Sequence, residues 1–131
     1  MEILAVPVTE DKVDMPGKAS EVHVYEIPDN MDKYILIKRY ENVALKIKDD
    51  GGLPLLESLI KEKVNSVILP GIGGPGITFL HNKIKVYIST GEEIGALDNY
   101  LANKLKYTDK PTVFNCPEIL FKKAEEYRNK L

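Results

Sequence analysis

Cysteine is nearly absent from this chain of 131 residues: Cys116 stands alone. No internal disulfide can form, and no metal cage built from cysteines is available. A lone free thiol suits a reducing compartment, and the expected location is the cytoplasm. Long hydrophobic runs are missing too. No apolar stretch approaches the roughly 18 residues that a membrane-spanning helix needs, and the run Ile3 to Val8 carries neither a basic leader nor a small-residue cleavage site. Arginine is confined to Arg39 and Arg128, glutamine does not occur, and the formal net charge is −2 with acids and bases interspersed. Nucleic-acid binding through a basic face needs clustered positive charge. Neither a nucleic acid nor a membrane is an expected partner.

What is present is the composition of a soluble globular domain, 44% hydrophobic and 29% charged. The length suits one domain with a real core. Ile3 to Val8 is too short an apolar run for a helix and reads as a buried strand. Thr9 to Ser20, with Pro16 and Gly17, reads as a loop. Val22 to Ile27 is rich in β-branched and aromatic residues, Pro28-Asp29-Asn30 has turn chemistry, and Tyr34 to Val43 holds a further strand. The first third is therefore expected to be an antiparallel meander.

The period changes after Asp49-Asp50-Gly51-Gly52. Pro54 suits a first helical turn, and Leu55, Leu56, Leu59 and Ile60 recur at helical spacing, predicting a helix from Leu53 to Lys63. Val67 to Leu69 is a short buried strand, Ile77 to His81 a brief helical stretch, and Ile84, Val86 and Ile88 alternate as another strand. Thr90 and Glu93 have capping-box spacing before Ile94, Leu97, Leu101 and Leu105, which share one helical face. Strand, helix, strand, helix in series implies parallel strands. Lys106 to Val113 reads as a linker. Asn115 or Cys116 is the expected cap of a last helix with Pro117 in its first turn and Leu120, Ala124, Tyr127 and Leu131 as its apolar stripe.

The densest signal is Pro70-Gly71-Ile72-Gly73-Gly74-Pro75-Gly76, directly after a buried strand. Glycines at a strand-to-helix turn let the backbone approach a ligand closely, and the amides there form an anion-binding nest. Gly71, Gly73 and Gly76 also spell G-x-G-x-x-G, with Glu92 and Glu93 as candidate ribose acids. The helix after them is too short for a dinucleotide fold, and no Gly-Lys-Ser/Thr follows for a P-loop. Two more segments could line the same site. Met15, Gly17 and Lys18 offer a thioether, a close backbone approach and a cation, while Gly51 and Gly52 could present amides at a helix start. Each has a plainer reading as a turn, a solvated loop or helix punctuation. His23, His81 and Cys116 have no metal-site spacing, and no Ser-His-Asp or Cys-His arrangement is legible.

Taken together, Ile3-Leu4-Ala5-Val6-Pro7-Val8, Gly17-Lys18-Ala19, Val67 to Pro75 running on to Ile84-Lys85-Val86-Tyr87, and Glu92-Glu93 with Leu97, Tyr100-Leu101 and Leu105 resemble the dinitrogenase iron-molybdenum cofactor biosynthesis family. These are small proteins that bind or carry iron-sulfur precursors of the nitrogenase cofactor. The resemblance spans about Met1 to Leu105. It implies an α/β, ribonuclease-H-like three-layer fold with a mixed five-stranded sheet (βββαβαβα), to which this chain appends a C-terminal helix. The expected division is residues 1–105 as that domain and 106–131 as a linker and helix packed on it or on a dimer partner. Nuclease chemistry is not implied, because Ile3 to Val8 has no carboxylate. Where the family commonly has His-Phe before Gly-Arg-Ala, this chain has Met15-Pro16 before Gly17-Lys18-Ala19, and Asp49 to Gly52 stands where a histidine is frequent.

The expected function is accordingly noncatalytic: a carrier of an anionic ligand, of which an iron-sulfur or iron-molybdenum-type cluster is the candidate. Met15, Gly17, Lys18, Gly51, Gly52, Gly71, Gly73, Gly74 and Gly76 form the candidate site. The alternatives are an interaction module or homodimer acting through the C-terminal helix, and a nucleotide-using enzyme.

Overall fold

The computed structural model describes residues 1–29 and 32–131. The turn expected at Pro28-Asp29-Asn30 includes Asn30, which lies outside the described residues. Strands β1 (Glu2–Thr9), β2 (Lys12–Val13), β3 (Glu21–Ile27) and β4 (Ile35–Glu41) come first, then a 3-10 turn at Val43–Lys46. Helices and strands then alternate: α1 (Leu53–Lys61), β5 (Ser66–Leu69), α2 (Gly74–Leu80), β6 (Lys85–Ile88), α3 (Glu93–Leu101), β7 (Lys106–Thr108) and α4 (Glu118–Asn129).

The mixed sheet runs β4-β3-β1-β5-β6-β7, with β2 pairing β1. The meander β1, β3, β4 is antiparallel, and β1, β5 and β6 are parallel. Among the described residues the sheet has seven strands, against five expected. The additional two, of two and three residues, are too short to leave a period. β7 arises within the segment read as a linker. Its backbone pairs with the outer edge of β6, Val86 opposite Thr108 and Ile88 opposite Lys106, where ladder groups would otherwise face water.

β1 explains why its sequence is a continuous apolar run. Both faces are covered, so alternation is unnecessary. Leu4, Val6 and Val8 pack with Ile68, Ala96 and Leu97 beneath α3. On the other face, Ala5 joins Val22, Val24, Val67, Leu69 and Val86 beneath α1, α2 and Ala124 of α4. Helices thus lie on both sides of the sheet.

Four helix boundaries differ from expectation. α1 ends at Lys61, because Lys63 takes a left-handed φ of 57° and Val64 N–H closes back on Leu59. α2 begins at Gly74, inside the glycine run. No capping box forms at α3: its N-cap is Glu92, with no side-chain cap, and Glu93 is drawn into the interior instead. Likewise α4 starts after Pro117 with no capping side chain from Asn115 or Cys116. Among the described residues no helix is long and apolar enough to cross a membrane.

Candidate functional site

The loop after β2 is held by short polar bonds. Asp14 accepts from Thr9 Oγ1 at 2.9 Å and from Met15 N–H at 2.8 Å, while Lys18 and Ala19 N–H groups return to the Met15 carbonyl. Asn42 completes the clamp from the far end of β4. It is 2% exposed; its Nδ2 donates to the Pro16 and Ala19 carbonyls at 2.8 Å each, and its Oδ1 accepts from Ala44 N–H at 2.9 Å. A lone asparagine after a strand has no sequence signature, so this organiser was not legible beforehand.

The clamped loop rests on the start of α1. A Cβ at Gly52 would lie 2.5 Å from Pro16 Cβ and 3.0 Å from Gly17 N, so glycine at 52 is required by contact. Gly51 requires glycine by conformation, with φ +57°. Opposite them, the turn after β5 brings Ile72, Gly73, Pro75 and Gly76 to the same place. These segments enclose a cavity of about 140 Å³, lined also by Met15, Asp50, Leu53, Leu56, Val113, Cys116 and Leu120. It lies at the carboxyl end of parallel strand β5, where α/β sheets favour ligands. Neither α1, with N-cap Gly52, nor α2, with N-cap Gly73, has a side-chain cap.

The candidate residues divide into three groups. Met15, Gly17, Gly52, Gly73 and Gly76 line the cavity. Gly51, Gly71 and Gly74 are not part of its lining and are covered by residues beyond 111. A Cβ at Gly71 would meet Thr112 Oγ1 at 3.1 Å and Val113 Cγ2 at 3.3 Å, and one at Gly51 would meet Leu120 Cδ1 at 3.3 Å; at Gly74 it would collide with the Phe121 ring, and at Gly73 with Cys116 Sγ. Lys18 is exposed and is not part of the lining. The close approach that glycine permits is therefore used, but by the chain's own C-terminal segment.

That segment is bonded in place. Ile72 N–H donates to Thr112 Oγ1 at 2.9 Å, and the Ile72 carbonyl accepts the Thr112 and Val113 N–H groups at 2.8 and 3.1 Å. Further on, Lys123 Nζ and Tyr127 OH both reach the Asp50 carboxylate at 2.6 Å, and Arg128 donates to the Thr78 and Phe79 carbonyls at the end of α2. The bonds from Lys123 and Tyr127 hold the Asp50 carboxyl below its usual range. Burial, then the Asp50 bond, push the Tyr127 hydroxyl up. Cys116, read from the sequence as a helix-start residue, stands against Gly73; no motif could have revealed that proximity.

A second polar cluster lies under α3. His23 sits between Glu93 (Nδ1 to Oε2, 2.7 Å) and Glu21 (Nε2 to Oε1, 2.6 Å), and Tyr25 OH donates to Glu93 at 2.7 Å. His23 and Glu93 are buried. Burial and the Glu93 bond push the Tyr25 hydroxyl well above its ordinary value. Glu93 is thereby committed, which removes it as a ribose acid for a nucleotide at Gly71 to Gly76. His81 is exposed. Larger concavities of about 550 and 620 Å³ open at the opposite end, around Glu2, Ser66 and Lys85 and around Glu2, Tyr87 and Tyr100. Among the described residues no group of three or more His, Cys, Asp or Glu is placed to hold a metal ion.

No family model and no curated protein matches this chain. Solved structures do. A crystal structure from Methanocaldococcus jannaschii, of a protein provisionally named a dinitrogenase, superposes with a TM-score of 0.60 at 17% identity, covering 83% of this chain and 96% of the other. An NMR structure from Thermotoga, of a protein provisionally named NifB and placed in the DUF35 family, gives 0.64 at 22% identity, covering 86% and 98%. At such identities the likeness establishes a shared fold. Both neighbours are matched almost throughout, whereas 14–17% of this chain, about 18–22 residues, has no counterpart in them.

Proposed function

We propose that this protein is a noncatalytic carrier whose cargo is an anionic metallocluster precursor of the iron-sulfur type, received at the junction of the loop after β2, the start of α1 and the turn after β5. The observation that carries the reading is the convergence of these three distant glycine-bearing segments on one cavity. Around it stand two helix starts without side-chain caps, which favour negative charge, and the thioether of Met15, which suits soft metals. The names of the two structural neighbours point the same way, and the strand order with helices on both faces suits a ribonuclease-H-like member of the cofactor-biosynthesis family.

The two sulfur side chains of the lining, Met15 and Cys116, do not amount to the four thiolates that lock a resident cluster in place. The reading therefore requires a cargo held loosely, by helix-start amides and few side chains, and released again. Anaerobic incubation with ferrous iron and sulfide, followed by gel filtration, tests this. Visible absorbance should travel with the protein, survive Cys116→Ser and be lost in Gly52→Val; absorbance that never co-elutes rejects the cluster. A second reading, protein interaction through the C-terminal segment, is favoured by one observation. Phe114 is 80% exposed, with Ile119 and Phe121 also exposed near it in sequence, an apolar display suited to a partner or a second copy. A mass that doubles with concentration and reverts in Phe114→Ser would support it.

A further inference from the structure

We propose that residues 112–131 form a lid over the glycine-lined cavity and open as a unit while the sheet stays folded. What the lid uncovers rests on the ligand-site reading above; that it opens does not.

Four observations carry this. First, the segment occupies the places where the glycines leave room: Thr112 and Val113 at Gly71, Cys116 at Gly73, Leu120 at Gly51 and Phe121 at Gly74. Second, the cavity that remains, about 140 Å³, is smaller than the roughly 300–1,000 Å³ of ligand pockets. A cargo of ordinary size fits only when the segment has lifted. Third, the attachment is of the kind that opens locally. Ala124 is the only fully buried side chain of α4; Tyr127 packs half-buried against Phe79 and Leu120 against Gly51, and the rest of the docking is a few polar bonds: Ile72 with Thr112 and Val113, Asp50 with Lys123 and Tyr127, and Arg128 with the end of α2. Few buried apolar contacts and a surface position mark the segments that open at low free energy. Fourth, among the described residues no strand of the sheet comes from this segment, which covers one face through Ala124. The last strand, β7, is an edge strand ending at Thr108, and a compact turn at Asp109-Lys110-Pro111, bonded through Thr108 Oγ1 to Lys110, separates it from the lid.

Asp50 gives the lid its latch. It lies one residue before Gly51 on the site's own side and holds both Lys123 and Tyr127 of α4, so site and lid meet at one carboxylate.

Cys116, a half-buried residue of the lid that lines the cavity, reports opening without any ligand. Labelling of the full-length chain with a soluble aromatic disulfide reagent at pH 8 should be far slower than in urea. Lys123→Ala and Arg128→Ala, neither of which touches the cavity, should each speed it about tenfold, since each removes bonds to or from a charged group. Amide exchange at Leu4 to Val8 and Val67 to Leu69 should stay unchanged in both variants. Labelling of the wild type at the unfolded rate, labelling unaffected by both variants, or core exchange rising by the same factor as labelling would each overturn the lid. Loading with ferrous iron and sulfide separates the two ideas. Faster loading in the variants supports the lid as the gate to that site. Failure to load in any protein, with labelling as expected, leaves the lid standing and rejects the metallocluster.

Discussion

Adding one methyl group at Gly73 isolates the contact between the glycine turn and the C-terminal segment. Gly73 has φ −86° and ψ 170°, extended backbone that alanine adopts freely, so Gly73→Ala carries no conformational penalty. Its cost is steric. The new Cβ would collide with Cys116 Sγ, while Pro75 Cδ at 3.6 Å and the Val113 carbonyl at 3.8 Å are ordinary neighbours. Overpacking of this kind costs about 1–3 kcal/mol, but the colliding atom belongs to a segment that can lift. The loss of global stability is therefore capped by whatever docking of residues 112–131 contributes. Cys116→Ala removes the sulfur from a half-buried position and should cost less than about 1 kcal/mol. In the double variant the collision partner is gone, so its stability should fall within about 0.5 kcal/mol of Cys116→Ala alone, a coupling of about 1–2 kcal/mol. Urea unfolding followed by circular dichroism measures the cycle. Amide exchange at Thr112 and Val113, whose N–H groups bond to Ile72, locates the loss. Additive effects, or a neutral Gly73→Ala, would refute the steric reasoning. Gly91→Ala does not serve as a silent control: nothing lies within 4 Å, but its φ of +86° makes alanine cost roughly 1 kcal/mol.

Asn42→Ala should destabilise by about 2–4 kcal/mol in urea titrations, because it strands the Pro16 and Ala19 carbonyls and the Ala44 N–H in the interior; a loss under about 0.5 kcal/mol would deny Asn42 its organising part. Glu93→Ala leaves His23 and Tyr25 without their shared buried acceptor and should cost about 3 kcal/mol, with α3 amides losing protection first. Acid should open the lid: the Asp50 carboxyl is held below its ordinary 3.8, so the folded state binds that proton less readily than the unfolded chain. The stabilisation is fully present above about 3.8 and vanishes as pH falls through the lower folded value. Exchange of α4 amides, corrected for intrinsic rate, should rise in that window, and Asp50→Asn should flatten the rise. Leu120→Ala should cost about 1 kcal/mol, since Leu120 is half-buried against Gly51.

Long, locally coded elements were the legible ones. The run Ile3 to Val8, the helical spacing of Leu55, Leu56, Leu59 and Ile60, and the alternation around Val86 each announce an element through a period the backbone imposes, and the antiparallel meander followed by parallel crossovers comes from their order alone. β7 was not legible, because three residues carry no period. Nor was the fate of Glu93: its spacing from Thr90 suits a capping box, yet His23 and Tyr25, about 70 residues away, offer it a buried network instead.

The glycine turn shows where local information stops. From Gly71, Gly73, Gly74 and Gly76 the sequence by itself left two meanings open, a turn that needs glycine for its dihedrals or a close approach to the backbone, and the structure, with none of the four at positive φ, decides for the second. What approaches was decided only by tertiary structure. Thr112, Val113, Cys116 and Phe121 lie 41 to 47 positions beyond the glycines they meet, out of reach of any helical or strand period, and they arrive only because β7 closes the sheet edge and α4 finds α2. Backbone dihedrals are a local property and leave a local signature; the identity of a contact across the fold is a property of packing, and no single segment encodes it.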